Sequence, residues 1–121
     1  MENPGGVLTS NQLPKSVITF LDDNKIISNE EIIAYYDYTI TLNNSESAIL
    51  TNKNIIYYKS GRTERIPLDS IKSISEIDNC VGVCILITSL NNKRIRIEIA
   101  PFNGGDLFLQ LLKDQRSNDL I

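Results

Sequence analysis

Alternation at every second residue dominates the middle of this chain. From Glu31 to Leu42, Ile32, Ala34, Tyr36, Tyr38, Ile40 and Leu42 fall on one face and Asp37, Thr39 and Thr41 on the other. That period predicts a long strand, or two strands with a bend. Asn43-Asn44-Ser45 then reads as a turn. Short strands follow at Ala48 to Thr51 and Asn54 to Lys59, joined tightly through Asn52-Lys53. Ser60-Gly61 turns the chain again, since glycine supplies the positive φ that hairpin turns need. Thr63 to Ile66 continues the hairpin. Pro67 closes it, having no N–H to give a ladder, so it belongs at an edge or a strand end. Ser70 to Ile77 is a less regular strand. Val83 to Thr88 is apolar on both faces and reads as central in its sheet. After a turn at Asn91-Asn92, Lys93 to Ala100 puts Ile95, Ile97 and Ile99 inward and Arg94, Arg96 and Glu98 outward.

The two ends of the chain show a helical period instead. Leu13, Val17, Phe20 and Leu21 recur at the spacing of two amphipathic turns, with Pro14 suited to a first helical position. Near the other end Leu107, Phe108, Leu111 and Leu112 form an apolar stripe. Asn103 suits the N-cap, and Asp106, Lys113 and Arg116 complement the dipole, which places this helix at about Gly104 to Arg116. Residues 1–28 are therefore expected to be a tail with a short helix. Residues 29–116 form the one domain, and residues 117–121 fray. About seven strands with one closing helix make the protein mainly β, a sheet long enough to curl into a barrel or sandwich. The N-terminal stripe packs on it in cis by default; swapping onto a second copy or lying on a membrane are the other uses of such a stripe.

Composition narrows the chemistry more than it identifies it. At 121 residues the chain suits a single domain with its own core. No apolar run approaches a membrane span and no basic-then-apolar leader is visible, so a cytoplasmic location is expected. The net charge is −3, too acidic for general nucleic-acid binding. That total hides an asymmetry: residues 20–49 carry six acids against Lys25, whereas residues 50–66 carry Lys53, Lys59, Arg62 and Arg65 against Glu64.

The chain has no histidine, which excludes a Cys/His metal site or a Cys–His dyad. Its two cysteines, Cys80 and Cys84, would stand about 13 Å apart on one straight strand. That exceeds the reach of a disulfide, although a loop at Cys80 could shorten it. Free thiols in a reducing compartment are the expectation. Asp22/Asp23 and Glu30/Glu31 are sequence neighbours that point apart in a strand, hence solvated charge rather than an acid–base pair. No nucleophile elbow, phosphate loop or dinucleotide fingerprint occurs. The expectation is no enzyme, no catalytic residue, no metal site, no cofactor and no small-molecule substrate.

The order of elements resembles the pleckstrin-homology-like superfamily, and locally its bacterial PH-like branch, with a layout close to GRAM-type domains. The residues that carry the resemblance are Glu30-Glu31-Ile32-Ile33-Ala34, Leu50-Thr51-Asn52-Lys53 ahead of Ile55-Ile56-Tyr57-Tyr58, Ile66-Pro67-Leu68-Asp69-Ser70-Ile71, and the helix with Phe108, Leu111 and Leu112. The resemblance implies a partly open barrel of two near-orthogonal antiparallel sheets capped by the C-terminal helix, acting as a binding or assembly module. It does not carry over an inositide site. Where inositide-gripping members place Lys and Arg, this chain has Asp37, Asn43, Asn44 and Glu46, and it has Asn54 where bacterial members often have a base.

Two groups of residues remain as contact surfaces. The tyrosines lie on two strand regions, and Tyr35, Tyr57 and Tyr58 either form a partner surface or serve cross-strand packing. Lys53, Lys59, Arg62 and Arg65 either touch an anionic membrane weakly or keep hairpin edges from pairing. The expected function is protein–protein contact or self-association, with peripheral attachment to anionic lipid as the alternative.

Overall fold

A computed structural model describes residues 6–38 and 45–119. Five strands form one antiparallel meander in the order β1-β2-β3-β4-β5, and three form a second, β6-β7-β8. The first sheet comprises β1 (Leu8–Thr9), β2 (Ile32–Asp37), β3 (Glu46–Thr51), β4 (Asn54–Lys59) and β5 (Arg62–Pro67). The second comprises β6 (Ile71–Glu76), β7 (Val83–Ser89) and β8 (Arg94–Ile99), and α2 (Gly105–Asp119) follows. The two sheets are not closed into a barrel by a ladder between β5 and β8. The expected continuation of β2 to Leu42 and the Asn43-Asn44 part of the next turn lie outside the described residues.

The period-2 readings hold where a strand has one wet face. β8 alternates without a break, with Arg94, Arg96 and Glu98 exposed and Ile95, Ile97 and Ile99 buried. β7 is central, as its two apolar faces require. At the β4–β5 tip both Ser60 and Gly61 adopt positive φ, 47° and 88°, the pattern of a two-residue hairpin turn. Ala34, Leu50, Ile55, Ile66, Ile85 and Ile97 line the space between the sheets, which Phe108, Leu109 and Leu112 of α2 close. A fully buried side chain of this size contributes roughly 1.5–3 kcal/mol.

The helix stripe was expected at Leu107, Phe108, Leu111 and Leu112, but Leu107 is 45% exposed and Leu109 is buried. The helix opens at Gly105, with Phe108 N–H donating to Gly104 C=O, so Gly104 holds the N-cap position and Asn103, expected there, lies one residue before it. Gly105 presses against Val83, and this contact sets which side of the helix faces the sheet. The helix continues past Arg116 to Asp119, and Arg116 Nη2 donates to the carbonyls of Ile71 and Lys72 at 3.4 and 3.2 Å.

The N-terminal segment departs most from expectation. Leu8 and Thr9, read as tail, pair with Tyr35 and Ala34 of β2. Helix α1 spans Lys15–Asp23, and Pro14 is its N-cap rather than its first helical residue. The helix ends in a Schellman arrangement: Ile26 N–H donates to Leu21 C=O, Lys25 N–H to Asp22 C=O, and Lys25 takes φ 57°.

This turn buries Ile26 beside Val17 and Leu21 on the outer face of the first sheet, against Tyr35, Ile49, Ile56 and Tyr58. The stripe therefore packs in cis. Ile32 joins this outer cluster although the alternation put it with Ala34 and Tyr36, because a bulge between Ile32 and Ala34 shifts the register by one pleat.

The cysteines also depart from expectation. Cys80 and Cys84 are joined as a disulfide, with Cα atoms 6.2 Å apart. Only Cys84 is on a strand; Cys80 sits in the β6–β7 loop. Asn79 and Gly82, both at positive φ (62° and 93°), fold that loop back over β7. At Gly82 a Cβ would overlap the Ile99 carbonyl and lie 2.9 Å from Pro101 N, so only glycine allows the loop to lie this close to the end of β8.

Candidate interaction surface

The unclosed seam between β5 and β8 is built by simple strand geometry. The two-residue turn at Ser60-Gly61 makes Lys59 and Arg62 a hydrogen-bonded pair, opposite each other in the register. Alternation then points the N–H and C=O of Thr63 and Arg65 off the free side of β5. Pro67 shares that orientation, where its missing N–H costs no ladder bond. On β8, Ser89 N–H donates to Lys93 C=O, so Arg94, Arg96, Glu98 and Ala100 point their backbone groups away from β7.

Side chains link the free side of β8 to the first sheet, at β5 and also further along, from β2 and the residue after it. Tyr38 Oη accepts from Glu98 N–H at 2.9 Å, and Tyr36 Oη accepts from Ala100 N–H at 3.2 Å. Lys93 Nζ donates to Arg65 C=O at 3.1 Å. Beside this last contact opens a cleft of about 360 Å³. It is lined by Arg65, Ile66, Pro67, Ser70, Ser89, Leu90, Asn91 and Lys93. Leu90, on the β7–β8 turn, is 67% exposed at its rim. The turn is held by Ser89 Oγ, which accepts from Lys93 N–H at 2.9 Å, and by Asn92 at φ 69°. The lining offers backbone groups, hydroxyls and cations.

The tyrosines divide between two cores. Tyr36, Tyr38 and Tyr57 stack edge to face, with centroids 5.2 and 5.7 Å apart. Tyr57 Oη donates to Glu46 Oε2. Burial raises the Tyr38 hydroxyl well above the ordinary tyrosine value against the opposing effect of the Glu98 N–H, and burial followed by Glu46 does the same for Tyr57. Tyr35 is raised by burial and then by the neighbouring Asp37.

As a partner surface, Tyr35, Tyr57 and Tyr58 need correction. Tyr35 and Tyr58 are 2% and 8% exposed because α1 covers the sheet face that carries them, and Phe20 stacks on Tyr58 at 5.8 Å. Tyr57 alone of the three is part-exposed.

The basic residues do not form one cluster either. Lys59 and Arg62 are exposed together at the β4–β5 tip, beside an open depression of about 330 Å³ that Tyr57, Ser60 and Glu64 also line. Lys53 is at the other end of β4, about 20 Å away by strand rise. Arg65 faces α1, and its Nη2 donates to Ile26 C=O at 2.9 Å, strapping β5 to the end of that helix. Proximity in sequence drew these four together; the strands carry them apart. The cleft residues Leu90 and Lys93 were missed, and their only sequence signal was a large apolar residue abutting the Asn91-Asn92 turn.

Two antiparallel sheets left open at one seam, with a C-terminal helix closing the space between them, define a PH-like fold. The chain belongs to the bacterial PH domain family, whose model matches residues 26–112. That span takes in β2 to β8 and the first half of α2, so β1 and α1 precede the matched core. No curated protein and no solved structure gives a significant match. No helix among the described residues is long and apolar enough to cross a membrane.

Proposed function

We propose that the protein is a non-catalytic interaction module that holds an extended segment of a protein partner at the β5/β8 seam. The observation that carries this reading is the free edge of β5, with Thr63 and Arg65 pointing backbone groups outward beside the cleft that Leu90 overhangs. An incoming strand gains backbone bonds along such an edge, and alternate side chains find the cleft. Lys93, now on the Arg65 carbonyl, is the group it displaces. Self-association uses the same edge, with a second copy as the partner.

A photoreactive side chain placed at Leu90, with in-cell crosslinking and mass spectrometry, tests this. The expected product is a protein adduct that a Lys93→Glu change depletes. Adducts only from a probe at Lys59, or none from either position, refute it. Sedimentation over a concentration series separates self-association from a foreign partner.

Peripheral attachment to anionic lipid is the second reading, favoured by the exposed Lys59/Arg62 pair at one hairpin tip. Two bases near such a surface supply only about 2 kcal/mol, and Glu64 and Glu46 lie nearby to offset them. Salt-sensitive co-sedimentation with anionic but not neutral vesicles, lost on Lys59→Glu with Arg62→Glu, would support it.

A further inference from the structure

One group of ligating side chains stands outside the seam. The Cys80 sulfur, the Cys84 sulfur and a Glu98 carboxylate oxygen lie within 4.8 Å of one another on the outer face of the second sheet. Cys84 and Glu98 are direct cross-strand partners on β7 and β8, and the β6–β7 loop brings Cys80 over them. Cys84 is fully buried, whereas Cys80 is half-buried and Glu98 exposed.

Glu98 is already oriented. Its Oε2 meets Arg96 Nε at 3.3 Å, which leaves Oε1 facing Cys84 Sγ at 3.8 Å. A tetrahedral zinc-like ion with bonds of about 2.3 Å to sulfur and 2.1 Å to oxygen requires a sulfur–oxygen spacing of about 3.6 Å. The same geometry requires a sulfur–sulfur spacing of about 3.8 Å, which two side chains with Cα atoms 6.2 Å apart can span once the disulfide is open.

We propose that Cys80, Cys84 and Glu98 form a binding site for a thiophilic divalent cation of the zinc class when the cysteines are reduced, and that the disulfide closes it. Two thiolates and one carboxylate make a soft-biased donor set, which disfavours magnesium and calcium. Their charge exceeds that of the ion by one, and Arg96 supplies the balancing positive charge while holding the carboxylate in place. The fourth position is left to water on the side where Cys80 and Glu98 meet solvent. A dithiol reductant opens the site, giving two thiols while it becomes a disulfide itself. The ion then enters with release of the two thiol protons. Oxidation by a disulfide reverses the step and expels the ion.

The test uses the full chain, reduced with a phosphine and freed of reductant, and cobalt(II) as the spectroscopic probe. The expected result is a thiolate-to-cobalt band in the near ultraviolet that saturates at one ion per chain and is abolished by zinc. The same ion should protect both thiols from a thiol reagent. The band should be absent from the disulfide form and from Cys84→Ser. Because Cys84 is buried, Cys80→Ser in the half-exposed loop is the second variant, with circular dichroism as the folding check. Glu98→Gln and Arg96→Gln should each weaken binding about 10-fold or more. No cobalt band in the reduced wild type overturns the proposal. So does a band that persists in the disulfide form, or in a folded serine variant.

Discussion

Replacing Leu21 by alanine tests whether α1 is part of the fold or an ornament on it. Leu21 is fully buried, between α1 and the outer face of the first sheet, within the cluster of Val17, Ile26, Tyr35, Ile49 and Ile56. The change deletes an isopropyl group, which at about 0.8 kcal/mol per buried carbon is worth about 2.4 kcal/mol of transfer free energy. The cavity left behind raises the cost into a range of about 2.7–5 kcal/mol. A nine-residue helix at the surface can settle into part of that cavity, so the expected cost is about 3 kcal/mol. That is a large share of the roughly 5–15 kcal/mol that holds a domain folded.

Urea unfolding followed by far-UV circular dichroism and tyrosine fluorescence measures it, the chain having no tryptophan. The midpoint should fall with no change in slope, and the melting temperature should drop by about 10–15 °C. Ile18→Ala, on the same helix but 42% exposed, should move stability by no more than about 0.5 kcal/mol. A cost for Leu21→Ala below about 1 kcal/mol would refute the packing of α1 described above. A midpoint that rises with protein concentration would show that α1 covers a second copy instead.

The two leucines of α2 make a matched pair: Leu109→Ala should cost about 2–4 kcal/mol and Leu107→Ala less than about 1, read by the same unfolding curves. The hydroxyls of Tyr35, Tyr38 and Tyr57 are all held above their ordinary value of 10.0, so the unfolded chain loses those protons first. Stability should therefore be intact below about pH 10 and fall above it. Tyrosinate absorbance should rise together with loss of structure; full ionisation of all five tyrosines in a chain still folded by circular dichroism would contradict this. Gly82→Ala should cost at least about 2 kcal/mol because of its φ and its overlap with the Ile99 carbonyl, whereas Gly61→Ala, with open space around it, should cost only about 1. Equal losses at the two glycines, in thermal melts, would contradict the close approach of the β6–β7 loop to β8.

What could be read from the sequence was whatever depends on neighbours a few residues away. The polar–apolar alternation of Arg94 to Ile99 fixes a strand with one wet face, because successive side chains point to opposite sides. Ser60-Gly61 fixes a hairpin, and Pro67 an edge, for equally local reasons. Periodicity also announced both helices. It could not tell Leu107 from Leu109, since the choice between adjacent sides of α2 is made by Gly105 against Val83. Nor could it place Ile32, whose face is decided by a bulge.

The candidate surfaces were the least legible part, because surfaces are made by what the chain does over long separations. Tyr35 and Tyr58 look like a patch until α1, docked from upstream, covers them. Lys53 and Lys59 look like neighbours until a strand holds them at opposite ends, and Arg65 looks free until it meets Ile26. Cys80 and Cys84 look too far apart until two left-handed residues fold the loop back. The seam beside Leu90 and Lys93 exists only because two sheets meet without a ladder between them. The local pattern of side chains set the elements, and the packing of those elements decided which side chains remained at the surface.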